Sequence, residues 1–261
     1  DRRGEDALDL SLQPNVPLQS PITPIPRRAE LLGRLGVHAV LALPTSLELL
    51  NLTPRQFFDE VLVRQLRVRA VVEGPNFRFG KDREGDTRIL EELCCQNDIA
   101  LQIVNAENDP GGMISSSRIR RLLAEGNVEA ANAMLTQPFQ IVGIVSEGAG
   151  RGRQLLVPTA NLTNVASLIP RHGVYGGVVR VDGQSVRSAV NIGPNPTFGD
   201  LQSKIELHLI GWQGTLYGQW LHCDLLTRVR ETQKFNSKDE LLRQIHDDIA
   251  IIVQRLPTIG L

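Results

Sequence analysis

The spacing of apolar residues changes at Pro138, and this change constrains the fold more than any single motif does. From about residue 27 to 136, short apolar runs alternate with segments whose apolar residues recur every three or four positions. After Pro138 apolar and polar residues alternate, and Gly and Asn separate the runs. Strands alternating with helices imply parallel α/β winding, whereas many short period-two strands imply an antiparallel sheet or barrel. Two domains are therefore expected, 1–137 and 138–261, with an overall class of α/β plus β.

In the first half, 37–43 and 68–72 read as buried strands, followed by a strand at 100–104. Thr53, Pro54 and Gln56 have the spacing of a capping box with proline at the first helical position, and Phe57, Phe58, Val61, Leu62 and Leu66 share one face of the helix that follows. Further helices are expected at 87–97, 116–124 and 128–135. Residues 12–26 contain five prolines and read as loop. In the second half, strands are expected at 139–145, 155–162, 174–181, 185–192, 204–210 and 219–227. Six such strands suit a small closed barrel. Asp182-Gly183 signals a type I′ hairpin. Ser237 and Glu240 start a last helix, whose apolar stripe is Leu241, Ile245, Ile249 and Ile252.

With 28 basic and 29 acidic residues among 261, the charge is balanced and advertises no nucleic-acid surface, although a small anionic ligand is compatible with it. Cys94, Cys95 and Cys223 have no metal-ligand spacing, and their odd count suggests a reducing, cytoplasmic setting. No apolar stretch approaches the roughly 20 residues that span a bilayer. The first ten residues are charged where a secretory signal would be apolar, so no membrane partner is expected.

The chemistry-bearing residues lie in the second half. Gly148, Gly150 and Gly152, interleaved with Arg151 and Arg153, form a loop whose backbone N–H groups are free to approach phosphate oxygens; the same glycines also suit a bare hairpin tip. Pro158-Thr159-Ala160-Asn161 follows, and in a strand Thr159 and Asn161 present two hard oxygen donors on one face. Two neutral ligands suffice for Mg²⁺ when nucleotide phosphates and water complete its shell; a Thr/Asn turn bonding its own backbone is the plain alternative. In the strand around 204–209, Ile205, Leu207 and Leu209 define a core face, which leaves Glu206 opposite, either as a solvated carboxylate or as a general base for an attacking hydroxyl.

The segment 138–253 resembles the riboflavin kinase domain. The matching elements, in order, are Gly148–Arg153, Pro158–Leu162, Gly173-Val174-Tyr175, Asn191-Ile192-Gly193 with Pro196–Gly199, Ile205–Leu209, Leu216-Tyr217-Gly218, Arg230-Glu231 and Lys234-Phe235. The resemblance implies a six-stranded barrel that binds ATP-Mg²⁺ and riboflavin and makes FMN. It places Thr159 and Asn161 on the metal, Glu206 as base, Tyr217 near the nucleotide, and Arg230 and Phe235 on the flavin. By residue type alone, Phe235 also suits core packing and Arg230 a surface ion pair. Leu156-Val157 departs from the family pattern, which has glycine before an aromatic or aliphatic residue there; a stiffer flap and lower rate are expected. A flavin-binding module without turnover is the competing reading.

The first half resembles the FMN adenylyltransferase domain of bacterial bifunctional riboflavin kinase/FAD synthetases. Gly74–Gly80, with Asn76, Phe77 and Phe79, is similar to that family's flavin-side loop, although an acidic residue is common at the position of Asn76. Ser115, Ser116, Arg118 and Arg120 resemble its phosphate-binding helix start, a Ser-rich pattern equally suited to plain capping. The family's His-x-Gly-His is absent: His38, His172, His208, His222 and His246 stand apart. The resemblance implies that the first strand and helix lie upstream of Asp1, the sequence being a fragment or an N-terminally divergent form, and that FAD formation from FMN is lost.

Overall fold

The structure is a computed structural model that describes residues 20–146, 159–195 and 200–256. The described residues group into two units, 41–113 and 20–40 with 114–256.

The helix α1 (Ile25–Arg34), which has prolines at its start, belongs to the second unit. The first unit begins with α2 (Leu47–Asn51) and α3 (Pro54–Phe57). Thr53 and Gln56 form the expected capping box: the Gln56 N–H donates to the Thr53 hydroxyl at 3.2 Å and the Thr53 N–H to the Gln56 side-chain oxygen at 2.9 Å. The chain then continues as a π-helical stretch, Phe58–Gln65. Strand β1 (Ala70–Glu73), helix α4 (Thr87–Gln96) and strand β2 (Ala100–Ile103) form a parallel crossover unit, with Ala70 opposite Ala100. A short antiparallel pair, β3 (Asn108–Asp109) and β4 (Gly112–Met113), completes the unit. Phe58, Phe79, Leu90, Leu93 and Cys94 are its core. Gly80 is required there: its φ is +73°, and a Cβ would stand 2.6 Å from the Pro54 nitrogen.

The strand expected at 37–43 is not formed. Val37, Val40, Leu41 and Leu43 are 42%, 38%, 61% and 41% exposed. An apolar run becomes a strand only where a neighbour takes its N–H and C=O groups. Among the described residues β1 pairs only with β2.

In the second unit, α5 (Ser116–Glu125) and α6 (Val128–Asn132) lead into six antiparallel strands: β5 (Gln140–Ser146), β6 (Ala160–Thr163), β7 (Gly173–Val181), β8 (Gln184–Asn195), β9 (Asp200–Leu209) and β10 (Trp220–Arg230). They close into a barrel in the order β10-β5-β6-β9-β8-β7. Closure removes the unpaired edges that an open sheet would expose. Asp182 and Gly183, at φ +50° and +78°, make the tight β7–β8 connection. Helix α7 (Lys238–Arg255), capped by Ser237, lies on the outer side of β7, β8 and β10.

Packing divides the chain at 113/114, whereas the period of the sequence changes near 137. The difference lies in α5 and α6, whose Ile119, Leu123, Val128 and Ala131 join the barrel's core. Asn132 ties α6 to the barrel, its amide donating to the Leu225 carbonyl at 2.8 Å and its oxygen accepting from the Phe139 N–H at 2.8 Å.

Candidate active site

The barrel register aligns one residue from each strand in a single lateral row: Ser146, Asn161, Glu206, Asn191, Val174 and Arg230, on β5, β6, β9, β8, β7 and β10. The alternate residues, among them Leu162, Ile205, Leu207, Val190, Ile192 and Tyr175, fill the barrel. Side chains alternate across a strand, so the row faces outward. Its β7 and β10 end lies under α7, where a Cβ on Gly176 would meet Ile252 at 3.0 Å. Its other end, at Asn161, Glu206 and Asn191, is half-buried.

Glu206 therefore stands between Asn161 and Asn191. Neighbouring strands lie about 4.8 Å apart, which places Arg230 three spacings, roughly 14 Å, from Glu206 along the barrel surface. Thr159, half-buried, immediately precedes β6, two residues from Asn161. These oxygen donors match the chemistry of a small hard cation that keeps much of its shell as water and phosphate. Among the described residues no three His, Cys, Asp or Glu side chains converge, so a carboxylate- or imidazole-rich metal cage is absent there.

Arg230 is tightly held. Its Nε donates to both carboxylate oxygens of Asp248, at 2.9 and 3.1 Å, and its Nη2 to Oδ2 at 2.8 Å. Nη1 donates to the Glu231 carbonyl at 2.9 Å, and the guanidinium carbon lies 5.6 Å from the centre of the Phe235 ring. Gln244 adds a hydrogen bond to Asp248 Oδ1 at 3.0 Å. Phe235 is buried. The structure thus brings Arg230 and Phe235 together and commits the guanidinium to an ion pair with a helix. A β-bulge between Arg228 and Arg230 turns the strand end toward that helix.

Sequence reasoning missed Asp248. The signal was present: it is an acid inside the otherwise apolar stripe of α7, seven residues from Leu241. Asn191 was seen only as part of a motif, because its place beside Glu206 depends on register.

Tyr217 is 45% exposed, in the turn between β9 and β10. The neighbouring Gly218 N–H donates to the Val145 carbonyl at 2.8 Å, which fixes that turn against the end of β5. The stretch with Gly148, Gly150, Arg151, Gly152 and Arg153 lies outside the described residues, as do Leu156-Val157 and Pro196–Gly199.

The residues singled out in the first half divide between the two units. In the first, Asn76 is exposed and donates to the Met113 sulfur at 3.4 Å, while Phe77 and Phe79 stack with centroids 5.4 Å apart. In the second, the Ser115 hydroxyl accepts from the Arg118 N–H at 3.3 Å and so caps α5. Ser116 is exposed on the first turn, Arg118 is half-buried and engaged, and Arg120 donates to the Ser20 carbonyl at 2.6 Å. Of these contacts, the one made by Ser115 is a helix cap.

Two family models match the chain: riboflavin kinase over residues 135–256 and FAD synthetase over 10–118. The bifunctional riboflavin kinase/FMN adenylyltransferase of Pseudomonas fluorescens is 35% identical over 225 residues, covering 86% of this chain and 72% of the relative. That of Escherichia coli K12 is 32% identical over 228 residues, covering 87% and 73%. A solved structure from Streptococcus pneumoniae, described as a macrolide-efflux protein, superposes with a TM-score of 0.77 at 30% identity, over 88% of this chain and 75% of that one. Among the described residues of this chain, no helix is long and apolar enough to cross a membrane.

Proposed function

The chain belongs to the bifunctional riboflavin kinase/FMN adenylyltransferase family, and from that premise we propose that it transfers the γ-phosphoryl group of ATP to the 5′-hydroxyl of riboflavin, forming FMN and ADP. The observation that carries this reading is the outward row in which Glu206 stands beside Asn161 on one side and leads, across Asn191 and Val174, to Arg230 on the other.

In this reading Glu206 accepts the hydroxyl proton as the new O–P bond forms and the bond from the γ-phosphorus to the bridging oxygen breaks. Thr159 and Asn161 are the ligands that would hold Mg²⁺. Bound there with ATP, the cation would neutralise phosphate charge and orient the γ-phosphoryl group. The 148–153 glycine stretch, joined to the barrel through Ser146 and Thr159, supplies N–H groups and the Arg151 and Arg153 charges for the phosphates. Tyr217, on a turn pinned to the same end of β5, lines the nucleotide side. Arg230 and Phe235 are assigned to the flavin side, where the buried Phe235 ring backs the guanidinium that Asp248 holds. By the period of the sequence the kinase domain is 138–261 and the adenylyltransferase-like domain 1–137, with residues 20–40 and 114–137 packing in the barrel's unit.

The test is FMN formation from riboflavin, ATP and Mg²⁺, followed by chromatography. Wild type should turn over, and Glu206→Ala should lose roughly 10²–10⁴-fold in rate. A wild type that binds riboflavin without turnover would favour a flavin-binding module, and equal rates in both proteins would remove Glu206 from the reaction.

A further inference from the structure

The two carboxamides that flank Glu206 are not equivalent. Asn161 is opposite Ser146, the last residue of β5, and lies two residues from Thr159, so it belongs to the phosphate flank of the row. Asn191 lies on the other flank, one strand from Val174 and two from Arg230. With phosphate chemistry on the first flank, the second is the one from which the alcohol approaches.

A general base works only while one carboxylate lone pair is aimed at the hydroxyl it deprotonates. The terminal torsion of a glutamate is broad, so the groups around Glu206, which is engaged in the structure, decide where its carboxylate is aimed. Directly opposed residues on one sheet face have Cβ atoms about 4.5–5.5 Å apart, within reach of a side-chain hydrogen bond. An amide N–H donor is well suited to this task. It orients the carboxylate without the full positive charge that a lysine or arginine would bring, and such a charge would make the carboxylate a weaker base. Lys204 and His208 flank Glu206 along β9 itself, and their register partners on β8, Gly193 and Ala189, carry no polar side chain. Asn191 is therefore the residue of β8 placed to donate to Glu206.

We propose that Asn191 is a positioning residue: its side-chain N–H holds the Glu206 carboxylate toward the substrate alcohol. This rests on the kinase reading, and a double-mutant cycle separates the two. Asn191→Leu keeps the approximate volume and removes the donor, and Asn191→Ala removes the side chain. Each is expected to lower kcat for FMN formation roughly tenfold or more, while KM for ATP stays within about twofold of wild type. In a Glu206→Ala background the same substitutions should cause no further loss, because the group they act through is gone. Additive losses, or a raised KM for ATP at unchanged kcat, would overturn the proposal and leave the kinase reading intact. A wild type that makes no FMN would overturn both. Thermal melts accompany each rate, and if Asn191→Leu melts early, Asn191→Ala carries the cycle alone.

Discussion

Arg230, the last residue of β10, is locked to Asp248 on α7 by three hydrogen bonds of 2.8 to 3.1 Å. The Asp248 side chain is 5% exposed and that of Arg230 19%, so both charges are largely withdrawn from water. The pair fixes the strand end from which the 231–236 segment departs, and Phe235 packs under the same guanidinium. The terminal helix is thereby coupled to the flavin side of the proposed site.

Breaking one half of this pair should be costly. Asp248→Ala is expected to destabilise the barrel unit by about 3–5 kcal/mol, since it strands a buried guanidinium. Replacing both partners, as in Arg230→Met with Asp248→Leu, is expected to restore much of that stability, because an apolar pair of similar volume carries no desolvation penalty. The double variant should still bind riboflavin more weakly than wild type. Urea denaturation and riboflavin fluorescence titration read the two effects separately, and full recovery of binding in the double variant would show that Arg230 serves only the fold.

Gly176 sets how closely α7 approaches β7. A Cβ there would stand 2.9 Å from the Thr227 methyl and 3.0 Å from Ile252 Cγ1, both tighter than normal contact. Ile252 is fully buried, so the helix must shift outward to make room. Gly176→Val is expected to cost about 1–3 kcal/mol, the usual range for overpacking, measurable as a lowered denaturation midpoint. An unchanged midpoint would mean that α7 is loosely docked.

The legible parts of the chain were those fixed by local pattern. The Thr53 and Ser237 caps, the Asp182-Gly183 turn and the six period-two strands each depend on residues within a few positions of one another. What stayed hidden depends on long-range pairing. The run 37–43 has strand composition, yet a strand exists only where another strand accepts it. Asn161, Glu206 and Asn191 come from three different strands, and only the register sets them side by side. Val128 and Ala131 look like any helix interior, and nothing local says that they pack into a barrel.

A polypeptide of these 261 residues is expected to form FMN without forming FAD. The FAD synthetase model matches residues 10–118, but the sequence holds no His-x-Gly-His, the motif that the adenylyltransferase resemblance calls for. Asn76 stands at a position where that family commonly has an acid, and Arg120 is engaged by the Ser20 carbonyl. Purified protein incubated with FMN, ATP and Mg²⁺ should leave FMN unchanged by chromatography, while the riboflavin reaction proceeds. Enzyme-dependent FAD in that assay would sink the expectation.

The three cysteines should differ sharply in reactivity. Cys223 is fully buried in the barrel, and burial pushes its thiol from the ordinary 9.0 up to about 12, with a hydrogen-bonding contact to Ser188 opposing the shift. Burial also raises the Cys94 thiol, whereas Cys95 is exposed. Thiolate is the reactive form, so at pH 8 a thiol reagent should label Cys95 rapidly and reach Cys94 and Cys223 only on unfolding. The sign of the linked stability follows. Between pH 9 and about 12 the unfolded chain releases the Cys223 proton that the folded chain retains, so folding weakens as pH rises across that range. Cys223→Ala should flatten that alkaline slope at the expense of a small cavity. Peptide mapping after native labelling tests the first statement, and labelling of Cys223 at the Cys95 rate would show that the barrel opens readily.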